Sequence, residues 1–348
     1  MKSFREEEFR AGSAAADFRP GGESFPVVLA PMAGLTSSAF RLVCRESGCC
    51  LSFTELVSAE GIRREAERSL AYLHTLPGEA PVGAHLFGAD PQAFADAARV
   101  VAASGRFALI DINCGCPVRK VVRRGAGAAL LKNPGLVGDI VAATREASGL
   151  PVTLKTRLGP SPGSFVLPQV LDAAERAGAS AVFVHGRYAS SFHRGPADLA
   201  AVARAGVDSP LPVFANGGLD SPAAAVAQLE HPGLAGVMIG RGAVGNPWIF
   251  SGALRLRMGK AVLEPGAEEI LAVLSRHLNL EIAHMRRLAR KRGQNPQRGE
   301  LLACRAFLPH LSGYLRGRPG ARDFRRTFME KVRTGEDLLS GAALILRG

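Results

Sequence analysis

Residues 108–117 read ALIDINCGCP. The apolar run ends in a turn that contains Gly and Pro, which is typical of a β-strand that is buried on both faces and then leaves its sheet. Seven similar runs, each bounded by Gly or Pro, occur in the first 250 residues, at 27–33, 51–58, 81–87, 151–157, 181–186, 212–216 and 236–240. The sequence therefore predicts eight short buried strands.

Helical patterns lie between these runs, for example at 91–104 and 222–229, where apolar residues recur at three- and four-residue spacing. Strands that alternate with helices predict an α/β protein with a parallel sheet and right-handed crossovers. Eight such units indicate a (β/α)8 TIM barrel. A doubly wound open sheet is the alternative, but no GxGxxG follows the first strand.

Charge divides the 348-residue chain, which has a net charge of +12. Residues 251–348 hold 19 Lys and Arg against 9 Asp and Glu, and the rest of the chain holds 24 against 22. The basic part has helical patterns at 267–291, 298–316 and 321–346. We therefore expect a loose leader at 1–24, a barrel at 25–258 and a smaller, basic, all-α domain at 266–348. A basic domain predicts a polyanionic partner, either nucleic acid or an acidic membrane surface.

The N-terminal residues predict the compartment. Charged residues follow Met1 without an apolar stretch, so the chain starts with no signal peptide, and no run of about 18 apolar residues predicts a membrane span. Six cysteines in a chain of this length form no disulfide framework, and none has the spacing of a structural zinc site. We expect a cytoplasmic protein with no metal and no membrane partner.

Polar residues stand at the end of every predicted strand. In a parallel barrel these ends meet at one rim, where the chemistry of the fold gathers. Each residue alone is as consistent with an ordinary rim contact, but packing does not account for the whole set, which comprises Met32, Glu55, His85, Asn113, Cys116, Lys155, Arg157, His185, Arg187, Asn216 and Arg241.

Two Gly-containing turns close the last two strands, namely Asn216-Gly217-Gly218 and Gly240-Arg241-Gly242. Barrels often bind phosphate in these loops, because Gly lets backbone N–H groups approach closely. Arg241 is placed to supply the matching charge. Ordinary turns between strand and helix are the alternative for both.

Lys155 lies within an otherwise apolar strand. A buried lysine needs an anionic partner or a shifted pKa. An anionic cofactor ring or a phosphate satisfies that need, and an ion pair with Glu55 is the structural alternative.

Cys116 follows Gly115 and precedes Pro117, so the turn presents its thiol at the rim. A presented thiol acts as a nucleophile or as a general acid. Packing is the expected role of the remaining cysteines, although Cys114 is also a candidate redox thiol.

Several segments resemble the tRNA-dihydrouridine synthase family, and most closely its bacterial B-type branch. The GCP turn followed by Val, and the later GAALL, are specific to the family, whereas NGG and GRG are not. The resemblance covers about 27–250 and continues weakly through HLSGYL at 310–315 and DFRRTF at 323–328. It rests on APMAGLTSSAFRLVCRESG at 30–48, DINCGCPVRKVVRRGAGAALLKNP at 111–134, PVTLKTRLG at 151–159, VHGRYASSFHRGPAD at 184–198, VFANGGLDSP at 213–222 and VMIGRGAVGNPWIF at 237–250.

The resemblance implies an FMN-containing (β/α)8 barrel that is followed by a helical tRNA-binding domain. The implied activity is that of an oxidoreductase. NADPH or NADH reduces the FMN, hydride passes to C6 of a D-loop uridine in tRNA, and Cys116 protonates C5. The implied cofactor contacts are Pro31, Met32, Ala33, His85, Lys155, His185, Asn216, Gly217, Gly218, Gly240 and Arg241, and the implied substrate contacts are Asn113 and Arg187.

This chain departs from the family pattern at several positions. B-type relatives usually carry glutamine at the position of His85, and an acidic or amide residue where Gly218 stands, so only the backbone of Gly218 carries over.

In the basic domain, Arg325, Arg326 and Lys331 form a cluster that we expect to bind tRNA phosphates. We expect a monomer.

Two other functions fit parts of the sequence. One is an FMN-dependent oxidoreductase that acts on free pyrimidine or dihydroorotate, which the basic domain argues against. The other is a non-enzymatic tRNA-binding protein, which the presence of Cys116, Lys155 and His185 argues against.

Overall fold

The computed structural model of the protein describes residues 26–348. The predicted leader at 1–24 lies outside the described residues. The nine strands of that part are β1 (Val27–Leu29), β2 (Ser52–Phe53), β3 (Val57–Ser58), β4 (Val82–Phe87), β5 (Leu109–Asn113), β6 (Val152–Arg157), β7 (Ala181–His185), β8 (Val213–Asn216) and β9 (Gly236–Ile239).

Ten α-helices accompany these strands and five follow them. Those of the first group are α1 (Ser38–Glu46), α2 (Ala59–Arg63), α3 (Glu67–Ala71), α4 (Pro91–Ala103), α5 (Arg119–Val122), α6 (Pro134–Ser148), α7 (Leu167–Arg176), α8 (Leu199–Val207), α9 (Pro222–Gln228) and α10 (Ile249–Arg257). The C-terminal five are α11 (Ala267–Lys291), α12 (Pro296–Ala306), α13 (Leu308–Tyr314), α14 (Ala321–Lys331) and α15 (Gly335–Arg347). Short 3₁₀ turns cover Gly127–Lys132, Ala189–Ser191 and Arg241–Ala243.

The strands form a parallel barrel. Their order is β1-β9-β8-β7-β6-β5-β4-β2, and β3 also pairs with β4. Every paired strand runs parallel to its neighbour. The ring closes where the Leu29 N–H donates to the Leu51 carbonyl oxygen at 2.9 Å. The predicted (β/α)8 architecture is confirmed.

The run at 51–58 differs from the single predicted strand, because it is split into β2 and β3. The break falls at Thr54 and Glu55. The Thr54 hydroxyl accepts the His85 backbone N–H at 2.9 Å and itself donates to the Glu55 carbonyl. A side chain thus replaces a backbone group in the ladder, and the strand is interrupted at the barrel rim.

Alternate residues of each strand face the barrel interior. The lower interior is apolar and centres on Phe53, Phe183 and Phe214, whose rings are 4.8–5.2 Å apart. The period of two then places polar side chains above this layer, since Phe183 is followed by His185 and Phe214 by Asn216 on the same face. The apolar floor therefore supports a polar mouth.

The C-terminal helices differ in detail from the predicted ones. The helix expected at 298–316 is two helices, α12 and α13, because Pro309 at the start of α13 has no N–H to continue the ladder. The helix expected at 321–346 is also two. It breaks before Thr334, whose side chain caps α15 in a reciprocal pair with Asp337.

The helical region contacts the barrel backbone directly at two glycines. Gly245 follows β9, and Gly313 lies in α13. A Cβ built on Gly313 would lie 2.1 Å from the Val244 carbonyl oxygen, and one built on Gly245 would lie 2.3 Å from the His310 carbonyl oxygen. No other residue type fits either position without displacement of one backbone from the other.

Gly313→Ala is therefore expected to destabilise the protein by about 1–3 kcal/mol, the usual cost of overpacking. Chemical denaturation measures the change. Gly266→Ala is the control, because nothing lies within 4 Å of its Cβ. Equal stability of the two variants would contradict the close packing.

Candidate active site

The candidate site is the barrel mouth at the carboxyl ends of β5 to β8. The register sets Asn113 beside Lys155 and His185 beside Asn216. Because these residues occupy inward-facing positions at one height, their side chains meet over the apolar floor. The structure brings the predicted rim residues of these four strands together.

Asn113 holds the turn that carries Cys116. Its Oδ1 accepts hydrogen bonds from the backbone N–H groups of Gly115 at 3.2 Å and Cys116 at 2.9 Å. Cys116 is half-buried, whereas Cys114 is fully buried, and burial raises the pKa of the Cys114 thiol. The turn therefore presents the thiol of Cys116 and withdraws that of Cys114.

Arg157 holds the same turn from the other side. Its Nε donates to the Gly115 carbonyl at 2.8 Å, and its Nη1 donates to the carbonyls of Tyr188 and Phe192. Burial lowers the pKa of Arg157 to about 10, and the nearby Cys116 opposes that shift. We recognised Arg157 from the sequence only as a rim residue. Its link between two loops is a role that strand-end position alone does not reveal.

Lys155 projects into the mouth with an amide as its partner. Its Nζ donates to Asn216 Oδ1 at 2.9 Å, and Asn216 Nδ2 donates to the Met238 carbonyl, which fixes the amide orientation. Burial, together with the charge of Arg157, lowers the pKa of Lys155 to about 8, and the nearby Asp111 and Cys116 oppose that shift. The suggested ion pair with Glu55 is wrong, since the Glu55 carboxylate accepts the Gly34 N–H instead.

His185 is neutral and forms a pair with Arg187. Arg187 Nη1 donates to His185 Nε2 at 2.9 Å, while Nε and Nη2 of Arg187 donate to the Gly195 carbonyl. Burial lowers the pKa of His185 strongly, and the charges of Lys155, Arg157 and Arg187 add to that effect. The imidazole is therefore a neutral hydrogen-bonding group.

His85 lies deeper than the rim. Its side chain is 3% exposed, and both ring nitrogens have partners within the chain, because Nδ1 pairs with Asp111 at 2.5 Å and Nε2 with Asn113 at 2.9 Å. A hydrogen bond to a flavin would require one of these contacts to break. Asp111 was missed by sequence reasoning; its signal was a charged residue at an inward position of an apolar strand.

Glycines follow the last two strands, β8 and β9, at the barrel rim. Gly217 and Gly218 have φ of +119° and +72°, and a Cβ on Gly217 would lie 2.8 Å from the His185 ring. Gly240 stands near Met32, and Arg241 is exposed beside it. The first-strand candidates Pro31, Met32 and Ala33 follow β1 directly. These positions form one continuous rim with β8 and β9.

The mouth fits an anionic cofactor. Lys155, Arg157, Arg187 and Arg241 all place positive charge around His185 or its neighbour Arg187. The Lys155 ammonium is bonded to an amide and to no carboxylate among the described residues. A desolvated cation of this kind is stabilised by an anion, so the residues fit the phosphate and ring of a flavin nucleotide.

The basic cluster lies on the outer surface of the helical region. Arg325, Arg326 and Lys331 are exposed on α14, and Arg326 contacts the equally exposed Asp323. In the basic run at 286–292, Arg286 and Arg292 are paired with glutamates. Both groups therefore present exposed cations, which are Arg287, Arg290 and Lys291 in the run at 286–292 and Arg325 and Lys331 on α14.

Residues 26–348 contain neither a membrane-spanning helix nor a cluster of metal-ligating side chains. No helix in that range is long and apolar enough to cross a membrane. No group of three or more His, Cys, Asp or Glu side chains there is arranged to hold a metal ion.

The fold and site define a (β/α)8-barrel enzyme that sets a presented thiol beside a cationic mouth. The model of the family described as Dihydrouridine synthase (Dus) matches residues 28–344. The chain belongs to the dihydrouridine synthase family.

Curated relatives agree. The chain is 37% identical over 305 residues to tRNA-dihydrouridine synthase B of Pseudomonas syringae pv. tomato, which covers 87% of this chain and 86% of that protein. It is 36% identical over 304 residues to tRNA-dihydrouridine synthase B of Escherichia coli K12, which covers 87% and 90%. Solved structures with distant likeness include histamine dehydrogenase from Rhizobium sp. 4-9, at TM-score 0.47 and 14% identity over 70% of this chain and 46% of that chain.

Proposed function

We propose that the protein reduces a D-loop uridine of tRNA to 5,6-dihydrouridine with FMN and NADPH or NADH, and that Cys116 is the general acid. One observation carries the proposal. A half-exposed thiol stands on a turn that Asn113 and Arg157 hold, beside the Lys155 ammonium, whose hydrogen-bond partner is an amide. Membership of the dihydrouridine synthase family favours this function over the free-pyrimidine and non-enzymatic alternatives.

A flavin held at this mouth would supply hydride chemistry for C6 of the uracil ring. Reduction of the C5–C6 bond also requires a proton at C5, and the Cys116 thiol donates it from the mouth. Lys155, in its protonated state, stabilises negative charge on the cofactor. His185 is neutral, so it can hydrogen-bond to the cofactor without adding a positive charge to the mouth.

The other candidate residues at the mouth have proposed roles in holding the cofactor and the substrate. Backbone N–H groups of Gly217, Gly218 and Gly240, with Arg241, would hold the FMN phosphate. Asn216 would position the Lys155 ammonium beside the flavin, and Pro31, Met32 and Ala33 would border the flavin. Asn113 and Arg187 are the proposed neighbours of the uracil ring.

The domain roles complete the proposal. Residues 25–258 form the FMN-binding catalytic barrel, and residues 266–348 bind tRNA through basic helices. The target base lies within folded tRNA, so it must leave its stack to reach the mouth. We propose a cytoplasmic monomer.

The direct test is chemical. Purified protein should be yellow from bound FMN, and incubation with NADPH and unmodified tRNA should give dihydrouridine that mass spectrometry maps to the D loop. Colourless protein that takes up no FMN contradicts the proposal. Equal rates on free uracil or dihydroorotate would instead favour the small-substrate alternative.

The α14 cluster gives a separate prediction. Replacement of Arg325, Arg326 and Lys331 by Gln should weaken tRNA binding. It should also reduce the magnitude of the slope of log K against log[salt] by about 2–3, because binding with fewer phosphate contacts releases fewer counterions. Filter binding over a salt series measures the slope. FMN content and NADPH oxidation should not change. Arg145→Gln with Arg176→Gln and Arg204→Gln, on the barrel helices α6, α7 and α8, is the matched charge control, and an equal effect of both sets would contradict the assignment.

A further inference from the structure

A chain of buried hydrogen bonds runs beneath the Cys116 turn. The Thr153 hydroxyl donates to Asp111 Oδ1 at 2.6 Å, and His85 Nδ1 contacts Asp111 Oδ2 at 2.5 Å. His85 Nε2 lies 2.9 Å from Asn113 Nδ2. Thr153 and Asp111 are fully buried, and His85 is 2% exposed. The chain crosses β6, β5 and β4 and ends on the residue that holds the thiol turn.

The direction of each bond follows from the far end. Asn113 Oδ1 accepts the N–H groups of Gly115 and Cys116, so the amide nitrogen faces His85. An amide nitrogen only donates, so His85 Nε2 accepts and carries no proton. The ring proton is then on Nδ1, from which it is donated to Asp111. One tautomer of His85 is compatible with the observed turn.

We propose that Asp111 and His85 are positioning residues, which fix the Asn113 amide and through it the Cys116 turn. The inference rests on the proposed acid role of Cys116. With the opposite tautomer, Nε2–H would face the Asn113 amide N–H₂, donor against donor. Asn113 would then rotate, and the N–H groups of Gly115 and Cys116 would lose their acceptor.

Asp111 is suited to this role because it receives two donors. A carboxylate accepts from Thr153 and from His85 Nδ1 on separate oxygens. An amide has a single accepting oxygen and cannot serve both. Asp111→Asn therefore weakens either the hydrogen bond that fixes the His85 tautomer or the Thr153 contact, with little change in side-chain volume.

His85 allows a matched pair of variants. The amide of glutamine reaches the place of the imidazole Nε2, and its oxygen can accept from Asn113. The amide of asparagine reaches only the place of Nδ1. His85→Gln therefore restores the acceptor below Asn113, and His85→Asn removes it.

The experiment measures iodoacetamide alkylation of Cys116 in the FMN-loaded protein without tRNA, by mass spectrometry of the Cys116 peptide. We expect His85→Asn and Asp111→Asn to raise the alkylation rate at least about fivefold, the factor that one lost hydrogen bond gives. His85→Gln should stay within about twofold of the wild type, since the acceptor is restored. FMN content and melting temperature identify variants that fail to fold.

Steady-state kinetics supply the second readout. His85→Asn should lower kcat for dihydrouridine formation by about 10- to 100-fold, because a misplaced acid acts poorly, and should leave KM for tRNA unchanged. Equal alkylation and kcat in His85→Asn and wild type would overturn the proposal, as would an equal loss in His85→Gln and His85→Asn. The alkylation rate of Cys116 does not depend on whether this thiol acts as the acid in uridine reduction. A Cys116→Ala variant that keeps full activity would refute the acid role while leaving the positioning result intact.

Discussion

Replacement of Cys116 by alanine is expected to lower the rate of dihydrouridine formation by about 10²- to 10⁴-fold, the contribution of a general acid. The turn would persist, because Asn113 binds backbone N–H groups and Arg157 binds the Gly115 carbonyl, and neither contact uses the thiol. FMN content and NADPH oxidation should therefore be retained. Single-turnover assays of the reduced enzyme with tRNA measure the step directly.

Cys50→Ala is the matched control, since Cys50 is partly buried and its thiol donates to the Val27 carbonyl near β1, away from the mouth. It should keep the wild-type rate. A Cys116→Ala enzyme with a rate within tenfold of wild type would exclude the thiol as the acid and would direct attention to another donor at the mouth.

The barrel, and the place of the candidate residues at its rim, could be predicted from the sequence because both depend on where the strands end. The run at 108–113 becomes β5 at Leu109–Asn113, and the run at 151–157 becomes β6 at Val152–Arg157. A turn with Gly115 and Pro117 follows β5, and Lys155 lies in the middle of β6. Packing alone explains neither feature. The physical signal is local, so no knowledge of neighbouring strands is needed.

The hydrogen-bond network was not predictable, because it depends on register. His85 meets Asp111 only because β4 and β5 pair with those two residues opposite each other. A shift of one residue would turn Asp111 out of the interior. The break in the strand at 51–58 has a similar origin, since it depends on a hydroxyl that takes the place of a backbone acceptor across the pair. Patterns within one strand contain neither fact.

Replacement of Lys155 by methionine is expected to weaken FMN binding by about 10- to 100-fold at pH 7, the usual value of a charge-assisted hydrogen bond in a desolvated site. The pKa of Lys155 is about 8, lowered from 10.5 by burial, so the free protein presents a cation below pH 8. An anionic ligand prefers that form. Wild-type affinity should therefore fall as the pH rises above 8, and the Lys155→Met variant should lose this dependence. Quenching of flavin fluorescence measures both.

The same substitution has the opposite effect on the protein without cofactor. A group whose folded-state pKa is lowered takes up a proton more readily when unfolded, so protonated Lys155 destabilises the free fold below pH 8, and that penalty is lost as the pH rises toward 10.5. Lys155→Met should thus raise the melting temperature of the apoprotein at pH 7 while it lowers FMN affinity. Lys132→Met, at an exposed lysine, should change neither. Loss of both stability and affinity in Lys155→Met would mean that the hydrogen bond to Asn216 is sufficient to stabilise the buried ammonium, and would contradict a need of Lys155 for an anionic ligand.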